Sequence, residues 1–473
     1  MNKKSSIVYI VSFFIICTVP VLLMPFVKND ESGENRKLSS MPSIISENGG
    51  INLNWASEFE TYLSEHFAFR EKLVTADSLI KSAVFRTSSN EKVICGKNGW
   101  LYLSETADDY TAENTMSARK INNTAKTLSL VQEYVQNKGS RFIFMAAPNK
   151  NTVYPENMPS RYIKTGNSSN LEMLSEKLDE YSVNQLDLVS IFKSQDSVLY
   201  HTRDSHWTNE GAVLVYNALM NRFGIKHDDL SSVYKHSEMI WHGDLDRMLF
   251  PSLEKLSEQI VYDMDFSFDY TYNFRSEDDY LISAKNSNGT ENVLMYRDSF
   301  GRSLYPFIAE NSAESVFSRE IPYRLDLLDN MDTDITILEI VERNLENITE
   351  KAPFMPAPAR NLDISASVEP DSENSCFISE KNDLVKIYGR LDEKYFSDNS
   401  DIYITLENEN SVLCFEAFPI YESELLNDDS QSDYGYSLYI DPSVINSGQY
   451  SINAYISNEN RFICTDTLEN IKF

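Results

Sequence analysis

Two short strings carry residue types able to move an acyl group: TRDSHWT at 202–208 and RDSFG at 297–301. A serine hydroxyl is a weak nucleophile alone. It needs an imidazole to take its proton and a carboxylate to fix that imidazole's tautomer. Asp204 and His206, two residues apart, supply base and orienter from one turn, and Ser299 supplies the hydroxyl. Each string also has a purely structural account: Ser299 as a helix N-cap, and Asp204 with His206 as a capped turn around a hydrogen-bonded histidine. A third reading gives His201, Asp204 and His206 to a metal. No second carboxylate or histidine cluster is evident beside them, so no metal or other cofactor is expected.

These turns act together only if the fold brings them to one place. Helical periodicity over 117–137 stops at Gly139, and RFIFMAA (141–147) reads as a buried strand ending at Pro148. A helix near 170–181 follows, then SVLYHT as a strand leading into the Asp204 turn, then a helix over 209–223 closed by Gly224. Residues 231–290 read as an insertion with short strands. Regular order resumes with a strand at 292–296, the Ser299 turn, a short helix through Glu310 and a strand at 334–340. Such alternation predicts a parallel central sheet flanked by helices, with ligands collecting beyond the carboxyl ends of its strands. Ser299 would then open a helix whose first amides can stabilise an oxyanion, with Gly301 allowing close approach. Asn149 and Lys150 follow one strand and Arg343 another, where oxyanion or substrate contacts are useful; a turn-capping Asn and a solvated Lys are the alternatives. Trp207 is expected to pack beneath the histidine.

The ends of the chain differ from this middle. Lys3 and Lys4 precede an apolar run over 7–27, long enough for the roughly 20 residues a bilayer core requires. Positive charge before the run places the N-terminus inside and the remainder outside. The absence of an A-x-A-like exit favours an uncleaved anchor over a signal peptide. Residues 1–28 are thus assigned to a cytoplasmic tip and transmembrane anchor, and 29–92 to a linker and helical lead-in. VICGKNGWLYL (93–103) reads as a hairpin turned by Asn-Gly, and the α/β domain is expected over 93–351. A Pro-rich linker (352–362) and a C-terminal β-sandwich (363–473) complete the predicted organisation. The cysteines show no CxxC spacing, so free buried thiols are preferred to disulfides.

Composition sets limits on partners. With 42% hydrophobic and 12% aromatic residues the chain can bury substantial cores. Its net charge of −30 opposes phosphate backbones, so no nucleic-acid partner is expected, and it disfavours an acidic glycan.

The strings TRDSHWT and RDSFG, in that order, resemble the DSHW-type signature of AlgJ/AlgX-like (DHHW-type) polysaccharide O-acetyltransferases of the SGNH hydrolase superfamily. ENRKLSSMP (34–42), GKNGWLYL (96–103), PNKNTVYPENMP (148–159) and HGDL (242–245) are further family-like pieces, together covering about 34–345. The resemblance implies an SGNH-like fold with Ser299 as nucleophile, His206 as base and Asp204 as its orienter, and places Tyr305 at a family tyrosine. It further implies acetyl transfer from a membrane-bound O-acyltransferase partner to a cell-surface or secreted polysaccharide, here neutral or cationic given the acidity. An esterase using the same residues and a non-catalytic glycan-binding surface protein are the competing readings. The C-terminal region shows no similarity to the carbohydrate-binding module of the alginate protein.

Overall fold

In the computed structural model the described residues are 3–24, 26, 38–46, 49–113, 115–166, 168–253, 255–362, 364, 375–421, 432–458 and 461–473. Of the expected linker and lead-in over 29–92, residues 29–37 and 47–48 lie outside them. A 21-residue helix, Lys3–Leu23, contains the apolar span Ser6–Leu23, which is exposed or half-buried apart from Pro20. The helices Trp55–His66 and Arg70–Ile80 follow. Strands β1 (Val93–Cys95) and β2 (Leu101–Leu103) form the hairpin that Asn98-Gly99 turns, both residues having positive φ (55° and 80°).

The central domain is built on β3 (Arg141–Ala147), β4 (Gln185–Leu186), β7 (Asp269–Tyr270), β8 (Leu281–Lys285), β9 (Glu291–Tyr296), β10 (Ser312–Ser318) and β11 (Ile335–Val341), in the order β4-β3-β11-β9-β10-β8-β7. The strands β5 (Lys235–Trp241) and β6 (Ser257–Tyr262) form a separate hairpin. Neighbours from β4 to β10 pair in parallel, whereas β8 is antiparallel to β10 and β7 to β8. The sheet is therefore mixed rather than wholly parallel. The short reversal after β8 makes β8 run opposite to β9, and the β9–helix–β10 crossover drops β10 between them.

Alternate residues of the parallel strands face opposite layers, as the period of two requires. Ile143, Met145, Met295 and Ile337 pack against the helices Asn209–Phe223 and Gly301–Asn311. Phe142, Phe144, Leu294 and Leu338 pack against Ala118–Asn137 and Asn170–Glu180. Local signals explain the helix limits. Ser117 caps the first turn of one, Ser169 and Glu172 form a capping box on another, and Gly224 closes a third with φ 67°. SVLYHT forms no strand. It is a loop held by a bridge between Tyr200 and Trp207.

Beyond residue 374 the strands β12 (Ser375–Lys381), β13 (Leu384–Arg390), β14 (Asp401–Asn408), β15 (Ser411–Ile420), β16 (Gly435–Ile440), β17 (Gln449–Asn458) and β18 (Arg461–Lys472) pair antiparallel in the order β12-β13-β16-β15-β14-β17-β18. The expected two-sheet sandwich is one curled sheet. The long β15 pairs with β14 over 411–417 and with β16 over 418–420, carrying the sheet around a corner, and β12 and β18 approach each other. Its interior is an aliphatic core around Ile387, Ile404, Leu438 and Ile456. The Pro-rich run is packed: Phe354 and Met355 share a core with Phe418, Ile420 and Tyr439 of this sheet. Arg360 pairs with Glu133 of the central domain and with Glu416 of β15. Among the described residues no disulfide joins any of the five cysteines.

Candidate active site

Ser299 lies on the turn between β9 and the helix Gly301–Asn311. Asp298 fixes that turn: one carboxylate oxygen accepts the Phe300 amide at 2.8 Å and the other the Val341 amide at 2.7 Å. The Asp298 amide donates to Glu339 at 3.0 Å. Gly301 is needed for contact, since a Cβ there would stand 2.6 Å from Arg297 Cβ. Ser299 itself is half-buried and reachable.

The loop after Tyr200 delivers the other two groups. Ser299 Oγ is 2.9 Å from His206 Nε2, and His206 Nδ1 is 2.7 Å from Asp204 Oδ1. Asp204 is almost fully buried, and its carboxylate also accepts the His206 amide (2.8 Å), the Asp244 amide (2.8 Å) and Trp241 Nε1 (3.1 Å). Burial works to raise its pKa, but the charge and hydrogen bond of His206 and the Asp244 amide outweigh it and hold the group well below the ordinary carboxylate range. For His206 burial disfavours the cation. Asp204, then Asp244, reverse that and raise its pKa.

Asp244 is the residue that sequence reasoning missed. Its carboxylate accepts the Ser205 amide at 2.8 Å and the Ser205 hydroxyl, and stands 3.7 Å from His206 Nδ1. It belongs to the HGDL string, which offered a signal without a role. Gly243 lets this loop close in, because a Cβ there would meet the Arg203 carbonyl at 2.5 Å. Asp204, His206 and Asp244 offer ligand atoms within 4.8 Å of one another, a grouping that omits His201. His201 instead stacks on Trp241, with ring centroids 4.7 Å apart. The acceptors of the cluster are already engaged: Asp204 by His206, and Asp244 by Ser205.

The remaining predicted residues separate. Asn149, after β3, is buried, and both polar atoms of its side chain lack partners, while its backbone amide donates to Glu342 at 2.6 Å. Burial, with Asp109 nearby, pushes Glu342 up to about 8. Arg343 lies over the Phe300 ring at 5.7 Å, and that ring is 4.7 Å from His206. Lys150 is buried rather than solvated. Its amine donates to the carbonyls of His201 (3.0 Å), Thr202 (3.1 Å) and Asp204 (2.5 Å), and burial pushes its pKa down to about 7. Three carbonyls match the three N–H bonds of an ammonium, so Lys150 ties down the loop carrying Asp204. Tyr305 is buried in the core, its hydroxyl 3.0 Å from that of Tyr270. Trp207 is buried between Phe192 and Phe300, with its indole N–H on Ser303 at 2.8 Å.

The hydrogen-bonded series Ser299–His206–Asp204 at the strand ends of this mixed sheet is an arrangement chemically able to pass an acyl group through a serine. Residues 93–267 are similar to the family model described as the SGNH hydrolase-like domain of acetyltransferase AlgX. The match contains Asp204 and His206 and ends before Ser299. Among solved structures, a DHHW family protein from Eubacterium siraeum is similar at 14% identity, over 54% of this chain and 94% of that one, with a TM-score of 0.41. The O-acetyltransferase domain of Pseudomonas putida AlgJ is similar at 16% identity, over 54% and 92%, with a TM-score of 0.35. Pseudomonas aeruginosa AlgX is similar at 12% identity, over 78% and 90%, with a TM-score of 0.33. No curated protein sequence matches the chain.

Proposed function

We propose that this chain is an extracytoplasmic serine O-acetyltransferase that acetylates a cell-surface or secreted polysaccharide. The carrying observation is the continuous series Ser299–His206–Asp204, at 2.9 and 2.7 Å, assembled from segments 93 residues apart. In the first step Ser299 Oγ attacks the donor carbonyl carbon and His206 Nε2 takes the hydroxyl proton. The bond to the donor's leaving oxygen breaks, and that oxygen receives the proton from His206. In the second, His206 deprotonates a sugar hydroxyl, which takes the acetyl group while Ser299 recovers its proton. Asp204 stabilises the imidazolium in both.

Asn149 suits the oxyanion, because a buried amide without a partner gains most from an acceptor arriving at the strand ends. Arg343, beside the Phe300 ring, suits donor or acceptor oxygens. A membrane-bound O-acyltransferase would supply the acetyl group, since a domain outside the membrane has no cytosolic donor, and the acidic chain suits a neutral or cationic glycan.

The test uses the purified full-length chain in detergent. Acetate release from p-nitrophenyl acetate, and a gain of one acetyl group on an added oligosaccharide, should both vanish in Ser299→Ala. Release of acetate with no transfer to any sugar would make water the acceptor and the protein an esterase. Equal turnover in both proteins would refute the acyl-enzyme altogether and favour a glycan-binding protein.

A further inference from the structure

The helix Arg70–Ile80 and the turn Lys81–Phe85 that continues it are amphipathic in the reverse sense. Their polar residues Thr75 and Ser78 are the buried ones: Thr75 accepts from the Ser252 hydroxyl at 2.9 Å, and Ser78 meets Ser89. Their apolar residues face outward. Leu73, Leu79, Ile80, Val84 and Phe85 are exposed, Val84 and Phe85 by about two thirds (67% and 66%). This is a concentration and not scatter: eleven large apolar side chains are exposed between Met41 and Phe85, against sixteen over all of 86–473 among the described residues.

Two observations identify what covers this face. The Ala68 amide donates to the Pro20 carbonyl at 3.3 Å, and both residues are buried, so the reversed helix starts beside the last turn of the apolar helix Lys3–Leu23. With Lys3 and Lys4 inside, that last turn is the outer end of the span. Charge agrees. Within 70–86, Arg70, Lys72, Lys81 and Arg86 outnumber Glu71 and Asp77, in a chain of net charge −30.

We propose that residues 70–85 lie flat in the outer surface of the bilayer the N-terminal helix crosses, apolar side chains in the lipid and basic ones at the headgroups. This rests on the uncleaved-anchor reading. Helices of this kind sink about 5–10 Å into the headgroup boundary, and their basic residues favour anionic lipid. Anchor and surface helix together would hold the catalytic domain at fixed height and orientation, where one flexible tether would not.

The full chain, reconstituted in nanodiscs of phosphatidylcholine and phosphatidylglycerol, tests this with a photoreactive benzoyl-phenylalanine in place of Ile80, of Val84, or of the exposed Ile163 in the central domain. Intact mass after illumination should show a one-phospholipid adduct several-fold more abundant at 80 and 84 than at 163. The same spectrum reports whether residues 1–28 remain. Retention of those residues with no excess of lipid adduct at 80 and 84 overturns the surface helix and leaves the anchor standing. An adduct with a second polypeptide also overturns it, since a protein then covers the face. Lipid adducts on a chain that has lost residues 1–28 would refute the anchor while upholding the docked face.

Discussion

The tripeptide Arg-Asp-Ser occurs twice in this chain, at 203–205 and 297–299, and the two copies are put to opposite uses. In the first, Asp204 orients His206, while the Ser205 hydroxyl is committed to Asp244 and Arg203 to an ion pair with Asp246. In the second, Ser299 is the group that meets His206, while Asp298 pins the backbone amides of Phe300 and Val341. Arg297 is buried along the Tyr305 ring, with a pKa pushed down to about 10 by that burial. Each copy also rests on a second acid, Asp244 for one and Glu339 for the other. The neighbouring acid helps decide which hydroxyl is free. Asp244 takes Ser205 Oγ as well as its amide, whereas Glu339 takes only the Asp298 amide and leaves Ser299 Oγ to the imidazole. Burial and the Asp298 charge hold Glu339 well above the ordinary carboxyl range.

Removing each serine hydroxyl in turn should give the largest difference between the two copies. Ser299→Ala should lower kcat for p-nitrophenyl acetate by roughly 10⁴-fold or more with unchanged thermal stability, because it deletes only the nucleophile. Ser205→Ala removes the hydroxyl's bond to Asp244 and its 3.3 Å contact with His206 Nδ1, and should cost roughly ten- to hundredfold, the value of about 1.5–3 kcal/mol that a bond to a charged group carries. Comparable losses in the two variants would mean that the serines share the chemistry, and the asymmetry drawn between the copies would be wrong.

Exchanging each aspartate for asparagine separates the copies by type of damage. Asp204→Asn should cut kcat by about 10³–10⁴-fold and leave KM nearly unchanged, since the amide supports the wrong imidazole tautomer, with some loss of stability besides, because one oxygen that accepts the His206 or Asp244 amide becomes a donor. Asp298→Asn should act on the fold: one backbone amide, of Phe300 or Val341, would face an N–H₂ group and lose its acceptor. A destabilisation of about 1–3 kcal/mol is expected in denaturant titrations, with a smaller effect on turnover. A stable but inactive Asp298→Asn protein would instead place Asp298 in the chemistry.

How much of this was legible in the sequence depends on whether a residue announces itself locally. Strand β3 and the helix Asn209–Phe223 were, because periodicity and the closing Gly139, Pro148 and Gly224 all agree there. The convergence of Asp204, His206 and Ser299 was readable as residue types in a familiar order. Asp244 was not, because it lies in the irregular stretch 231–290 and becomes a neighbour of His206 only when Gly243 lets its loop approach Arg203. The burial of Lys150 was hidden for a different reason. Lysine is rarely buried, and the three carbonyls that receive its amine are set by loop geometry, which leaves no mark on composition. The C-terminal strands were visible by alternation, but a period of two marks faces and not partners, so the hand-over of β15 from β14 to β16 stayed hidden.

The smallest expected effect concerns Asp244, and it asks whether the second acid acts on Ser205 alone or on the imidazole as well. His206 must be neutral to accept the Ser299 proton, so kcat/KM should rise as pH climbs through the imidazole pKa. That pKa is raised in the folded protein, because Asp204 and Asp244 favour the cation more than burial disfavours it, so the acid limb should lie above the ordinary histidine value of about 6.5. The same shift carries a stability sign. A folded-state pKa above the unfolded one stabilises the fold below about pH 6.5, and that contribution is lost as pH rises through the folded pKa. In Asp244→Asn the amide oxygen can still accept from Ser205, so the loop keeps its bond while the negative charge 3.7 Å from Nδ1 disappears. The cation then loses part of its support, and the acid limb should move to lower pH by some tenths of a unit, up to about one, with the plateau rate changed by less than about tenfold. A pH–rate profile of both proteins at one ionic strength measures this directly. A limb that does not move would confine Asp244 to holding Ser205, leaving Asp204 as the acid that tunes His206.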